Sequence, residues 1–128
     1  MKHDFLFVYG TLLDDNNEYA IYLKNNSRPY LTGKVRGKLF DIGEYPGAIL
    51  AAGDQIVYGS ILQISDADRI IPIIDEYEGY GENQPQPNEF VRIRADIETA
   101  HGWVSCWMYL YNLSTAGLIL IESGRYTR

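Results

Sequence analysis

A chain of 128 residues, 46% hydrophobic and 22% charged, has the size of one domain and enough apolar content to bury a core without staples. One cysteine, Cys106, excludes an internal disulfide framework and a multi-cysteine metal cluster, and an aromatic share of 13% excludes global disorder. A net charge of -6 argues against a general nucleic-acid binder, and no run approaches the ~20 apolar residues of a membrane-spanning helix. The apolar stretch after Met1-Lys2-His3-Asp4 is too short for a signal-peptide core, so the expectation is a cytoplasmic protein, one domain over residues 1–128, with neither nucleic acid nor membrane as a partner.

Phe5-Leu6-Phe7-Val8-Tyr9, closed by Gly10, predicts a short strand buried on both faces. The polar segment 14–26, with Tyr19, Ile21, Tyr22 and Leu23 inside it, allows a short helix. Residues 30–41 carry Leu31, Val35 and Leu39 at even spacing with Gly33 and Gly37 between them; glycines in a strand point to bulges, bends or close backbone approach. Tyr45-Pro46-Gly47 reads as a turn, followed by strands over 48–51 and 56–64 joined at Gly53-Asp54. Residues 90–97 alternate Val91, Ile93, Ala95 and Ile97 against Arg92, Arg94 and Asp96. His101-Gly102 then returns the chain as a hairpin over 103–111. Regular short strands with glycine turns indicate a barrel or sandwich.

One helix interrupts this pattern. Ser65-Asp66-Ala67-Asp68 has the form of a capping box with Ser65 as N-cap, and Ile70, Ile71, Ile74 and Tyr77 follow at helical spacing. Pro72 predicts a kink or two short helical turns, because an uninterrupted interior would lose ~3 kcal/mol there. The whole is an α+β chain with mostly antiparallel sheet.

At ~100° per residue, Glu78 falls within or at the edge of the isoleucine stripe, whereas Glu76 points away and Asp75 lies outside it. A carboxylate on an apolar face costs desolvation energy unless it is paired or functional, and desolvation raises its pKa toward the range useful to a general acid/base. A salt-bridged or partly solvated Glu at a frayed helix end fits the same spacing. Tyr9-Gly10-Thr11-Leu12 follows a buried strand; its successive N–H groups suit an anion-binding nest, and an ordinary turn fits equally. His3 and His101 lie in a tail and a turn, no spacing fits a metal site, and Cys106 sits mid-strand.

Taken in order, Phe7-Val8-Tyr9-Gly10-Thr11-Leu12, the segment from Gly33 through Tyr45-Pro46, Val57-Tyr58-Gly59, Ile74-Asp75-Glu76-Tyr77-Glu78-Gly79 and Trp107-Met108-Tyr109 resemble the γ-glutamylcyclotransferase-like (AIG2-like) family. The resemblance implies a small mixed, mostly antiparallel β-barrel with a few peripheral helices. It also implies conversion of a small γ-glutamyl compound to 5-oxoproline with release of an amine or amino acid. By the same resemblance Glu78 matches the catalytic carboxylate, and Tyr9, Gly10, Thr11 and Leu12 match the loop whose backbone holds the glutamyl end; Tyr109 would add a hydrogen bond to substrate. Because the substrate's own α-amine is the nucleophile, this chemistry calls for no cofactor and no metal.

The chain departs from the family pattern in the long segment 79–89, in Phe90, where a Tyr commonly stands, and in Ser123-Gly124-Arg125-Tyr126, where Ser-Gly-Asp-Trp is usual. A module of the same fold that binds a carboxylate ligand without turnover is the alternative function.

Overall fold

The computed structural model describes residues 4–10 and 18–126. Seven strands and two helices follow in the order β1 (Asp4–Val8), α1 (Glu18–Asn25), β2 (Ser27–Asp41), β3 (Pro46–Leu50), β4 (Ile56–Ile64), α2 (Ala67–Glu78), β5 (Phe90–Thr99), β6 (Gly102–Tyr111) and β7 (Ile119–Leu120). Five strands, β2-β4-β1-β6-β5, close on themselves through a β2–β5 pairing, and β3 and β7 are added along the second half of β2. Only β1–β6 is parallel among the described pairings, so the architecture is the mixed, mostly antiparallel barrel expected.

Side-chain alternation along β1 divides the core in two. Phe7 and Tyr9 turn into the closed barrel with Leu39, Val57, Ile61, Ile97, Cys106 and Met108. Leu6 and Val8 turn outward and are covered by Leu23 of α1 and by Ile70, Ile71 and Ile74 of α2. That explains the uninterrupted apolar run: both faces of β1 are buried.

β2 is long because its first half pairs with β4 and its second half with β3. Two strands joined at Gly53-Asp54 therefore flank β2 rather than each other. Gly37 lets the Ile49 carbonyl approach so closely that a Cβ would lie 2.3 Å from its oxygen. β5 and β6 form the expected hairpin, turning through Ala100 and His101, with Thr99 opposite Gly102.

α2 differs from expectation at two points. Of the two forms expected at Pro72, a kink or two short helical turns, the second does not occur: α2 is one continuous helix through Pro72. Both Pro72 and Asp68, whose carbonyl loses its partner, are exposed, so the missing hydrogen bond lies on the solvent side of the helix. The N-cap is Asp66, not Ser65, and its side chain makes no capping bond. The Arg69 guanidinium occupies that carboxylate instead, with Nε donating to Asp66 Oδ2 at 2.9 Å. Among the described residues no helix is long and apolar enough to cross a membrane.

Candidate active site

The C-terminus of α2 is built to stop at Glu78. Gly79 adopts φ 74°, a left-handed conformation that costs glycine nothing. Its N–H donates to the Glu76 carbonyl at 3.2 Å, and the Tyr80 N–H donates to the Asp75 carbonyl at 2.9 Å. This paired closure is the Schellman motif, so the helix end is ordered, not frayed. Upstream, Ile70, Ile71 and Ile74 pin the helix to the outer face of β1, and Asp75 clamps it sideways. Arg92 Nε and Nη2 donate to the two Asp75 carboxylate oxygens at 2.8 and 3.2 Å, and the Tyr109 hydroxyl donates to Oδ1 at 2.7 Å.

Held this way, Glu78 faces the C-terminal end of β1. It lines a cavity of about 30 Å³ with Tyr9, Gly10, Tyr45, Pro46 and Tyr109. Burial, then the charges of Glu89 and Asp75, raise the Glu78 pKa to about 8. Among the described residues no cation forms an ion pair with it. A carboxyl group that titrates at about 8 is able both to accept and to return a proton near neutral pH. No group of three or more His, Cys, Asp or Glu suited to a metal ion occurs among the described residues.

Four of the residues singled out in the sequence, Tyr9, Gly10, Glu78 and Tyr109, come together around this cavity. Thr11 and Leu12 lie outside the described residues. Two of the four have other commitments. The Tyr9 hydroxyl donates to the Tyr109 carbonyl at 2.6 Å and accepts from the Ala48 N–H at 3.2 Å, which locks it inside the barrel. The Tyr109 proton is engaged by Asp75, leaving its oxygen free only as an acceptor. Burial raises the pKa of both phenols, so neither ionises in the neutral range. The group that makes a close approach to Gly10 is the Pro46 ring, which would lie 2.6 Å from an added Cβ.

Sequence reasoning missed Glu89 and the role of Tyr45. The Tyr45 hydroxyl donates to Glu89 Oε2, which brings a second carboxylate beside the cavity. Burial and Glu89 together raise the Tyr45 pKa, so the phenol stays protonated. Tyr45 was legible only as part of a turn, and Glu89 only as the end of a Pro-rich segment. That segment is compact: the Asn88 side chain donates to the Gly81 and Pro85 carbonyls and accepts from the Gly81 N–H.

Comparison with known proteins identifies the family. The model of the family described as "Gamma-glutamyl cyclotransferase, AIG2-like" matches residues 6–128. The chain is 34% identical over 124 residues to a gamma-glutamylcyclotransferase family protein of Citrobacter rodentium, covering 94% of this chain and 93% of that one. It is similar to the solution structure of the Escherichia coli protein ytfP, with TM-score 0.66, 28% identity and 95% of each chain covered. An AIG2-like protein from Mus musculus shares the fold, with TM-score 0.67 at 17% identity over 100% of this chain and 97% of that one. The chain belongs to the gamma-glutamyl cyclotransferase, AIG2-like family.

Proposed function

We propose that the protein is a γ-glutamyl cyclotransferase with Glu78 as its general acid/base. The observation that carries this reading is an ordered carboxyl group, without a cation partner among the described residues and with its pKa pushed up to about 8 by burial, Glu89 and Asp75, set against the end of β1 at Gly10. Ionised Glu78 takes a proton from the substrate's α-ammonium. The freed amine attacks the γ-carbonyl, a new N–Cγ bond closes the five-membered ring, and the bond to the leaving nitrogen breaks. Glu78 returns its proton to that nitrogen and takes the second proton from the attacking nitrogen, which leaves the ring amide of 5-oxoproline. That second proton passes to the released amine or amino acid, which departs as its ammonium form. The enzyme's main task is to hold the glutamyl chain in a near-attack geometry, an effect worth ~7–11 kcal/mol in favourable intramolecular reactions. Backbone N–H groups after β1 fix the α-carboxylate or the developing oxyanion. The cavity of about 30 Å³ holds reacting atoms and not a whole γ-glutamyl group, so substrate binding widens it.

The test is release of 5-oxoproline, followed by mass spectrometry, from γ-glutamyl amino acids, γ-glutamyl amines and ε-(γ-glutamyl)lysine. The wild type yields product from at least one class and the Glu78→Gln variant, folded, yields none. No product from any class by folded wild type moves the assignment to a carboxylate-binding module on the same fold.

A further inference from the structure

A larger cavity lies elsewhere. Beyond Val8 the outer face of the barrel is no longer covered by the helices, and Thr32, Lys34, Tyr58 and Ser60 share that face. Register places them there, since Val8 pairs with Ser60, Ser60 with Thr32 and Tyr58 with Lys34. Together with Arg125 and Tyr126 they line an open cleft of about 590 Å³, within the ordinary range for small-molecule sites. Tyr9 lines both this cleft and the Glu78 cavity, so the two adjoin at the end of β1.

The cleft presents two cations, Arg125 and Lys34, and one carboxylate, Glu98. Arg125 lies over the Tyr58 ring, 3.9 Å from its centroid, and no carboxylate pairs with it among the described residues. Its backbone is anchored, because the Tyr58 N–H donates to the Gly124 carbonyl at 2.9 Å and the Arg125 N–H donates to Ser123 Oγ at 3.2 Å. Stacking covers one face of the guanidinium, and its edge N–H groups are the donors suited to a planar anion. Lys34 adds a second charge, with only a loose contact, 4.0 Å, to Glu98.

We infer that this cleft holds the leaving half of the substrate and that Arg125, assisted by Lys34, binds its carboxylate. The favoured substrates are then γ-glutamyl amino acids or peptides rather than simple γ-glutamyl amines. This rests on the cyclotransferase reading for the words "leaving half" but not for the carboxylate site itself.

Two readouts separate those parts. N-acetylalanine and its primary amide are titrated into isotope-labelled protein while the Tyr58 and Ser60 amide signals are followed. The acid is expected to bind and the amide not. Arg125→Ala should weaken the acid by about tenfold or more, with partial retention in Arg125→Lys. Equal response to acid and amide, or unaltered binding in Arg125→Ala, overturns the inference. Release of 5-oxoproline from γ-glutamylalanine and γ-glutamylethylamine is then compared. Arg125→Ala should raise KM for the first by about tenfold and leave the second unchanged. Equal loss on both substrates overturns the subsite. Carboxylate binding without product from either substrate overturns the cyclotransferase reading and leaves the cleft a carboxylate site.

Discussion

Asp75 and Glu78 leave the same end of α2 and enter opposite surroundings. Asp75 belongs to a lattice on the outer barrel face in which every carboxylate is answered. Arg92 and Tyr109 bind Asp75; Arg94 Nη1 and Nη2 and the Trp107 indole bind Asp4 at 2.8, 3.0 and 3.0 Å. Both guanidinium groups stack on the Trp107 ring between them, 4.3 and 4.1 Å from its centroid. Glu78 instead faces a cavity with Glu89 nearby and, among the described residues, no cation paired with it. Pairing makes the first carboxylate part of the scaffold. Withholding a partner keeps the second titratable near neutral pH, at a cost in stability that the scaffold supports.

The comparison is broken most severely at Glu78. Glu78→Gln is expected to lower turnover by ~10²–10⁴-fold, the usual contribution of general acid/base catalysis, while the far-UV spectrum is unchanged. The same change should stabilise the protein. The Glu78 pKa is higher in the folded chain than the ordinary carboxylate value of 4.5, so the folded state binds more protons than the unfolded state between about pH 4.5 and 8. Wild-type stability therefore falls as pH rises through that window. Glu78→Gln should melt several degrees higher than wild type at pH 8 and at nearly the same temperature at pH 4.

On the scaffold side, Ile74 is fully buried between α2 and β1. Ile74→Ala is expected to cost about 2–5 kcal/mol in urea denaturation. Asp75→Asn removes the charge opposite a partly buried Arg92 and weakens the Tyr109 contact; about 2–3 kcal/mol is expected, below the full cost of a deeply buried pair. A smaller effect sharpens the comparison. Glu89→Gln removes a neighbouring negative charge, so the Glu78 pKa falls and the acidic limb of the pH–rate profile moves to lower pH. An unmoved limb would mean that Glu89 does not act on Glu78. Asp66→Ala, at an exposed ion pair with Arg69, should leave the melting curve unchanged.

Much of this site is legible in linear order because its signals are local. The isoleucine spacing of α2 aimed Glu78 inward at the helix end. The run of residues 5–9 announced a strand buried on both faces, and the glycines of β2 announced close approach. Reading failed where a local pattern met a distant competitor. Ser65 had the sequence of a cap, but the chain enters the helix at Asp66 and Arg69 claims that carboxylate. Pro72 had the sequence of a break, but the apolar stripe on β1 holds the helix whole and the lost hydrogen bond faces solvent.

By itself, then, the sequence determined the main strands, the helix face and the carboxylate at its end, since these follow from periods of two and 3.6 residues; it did not show β7 or the start of β3 at Pro46. Only the tertiary structure decided which charges meet. It closed β2 on β5, placed β3 and β4 on either side of β2, gave Arg92 and Tyr109 to Asp75, and brought Tyr45 and Glu89 up to Glu78. Those partners are separated along the chain by 11 to 44 residues. Their proximity is set by strand register and barrel closure, which no local pattern encodes.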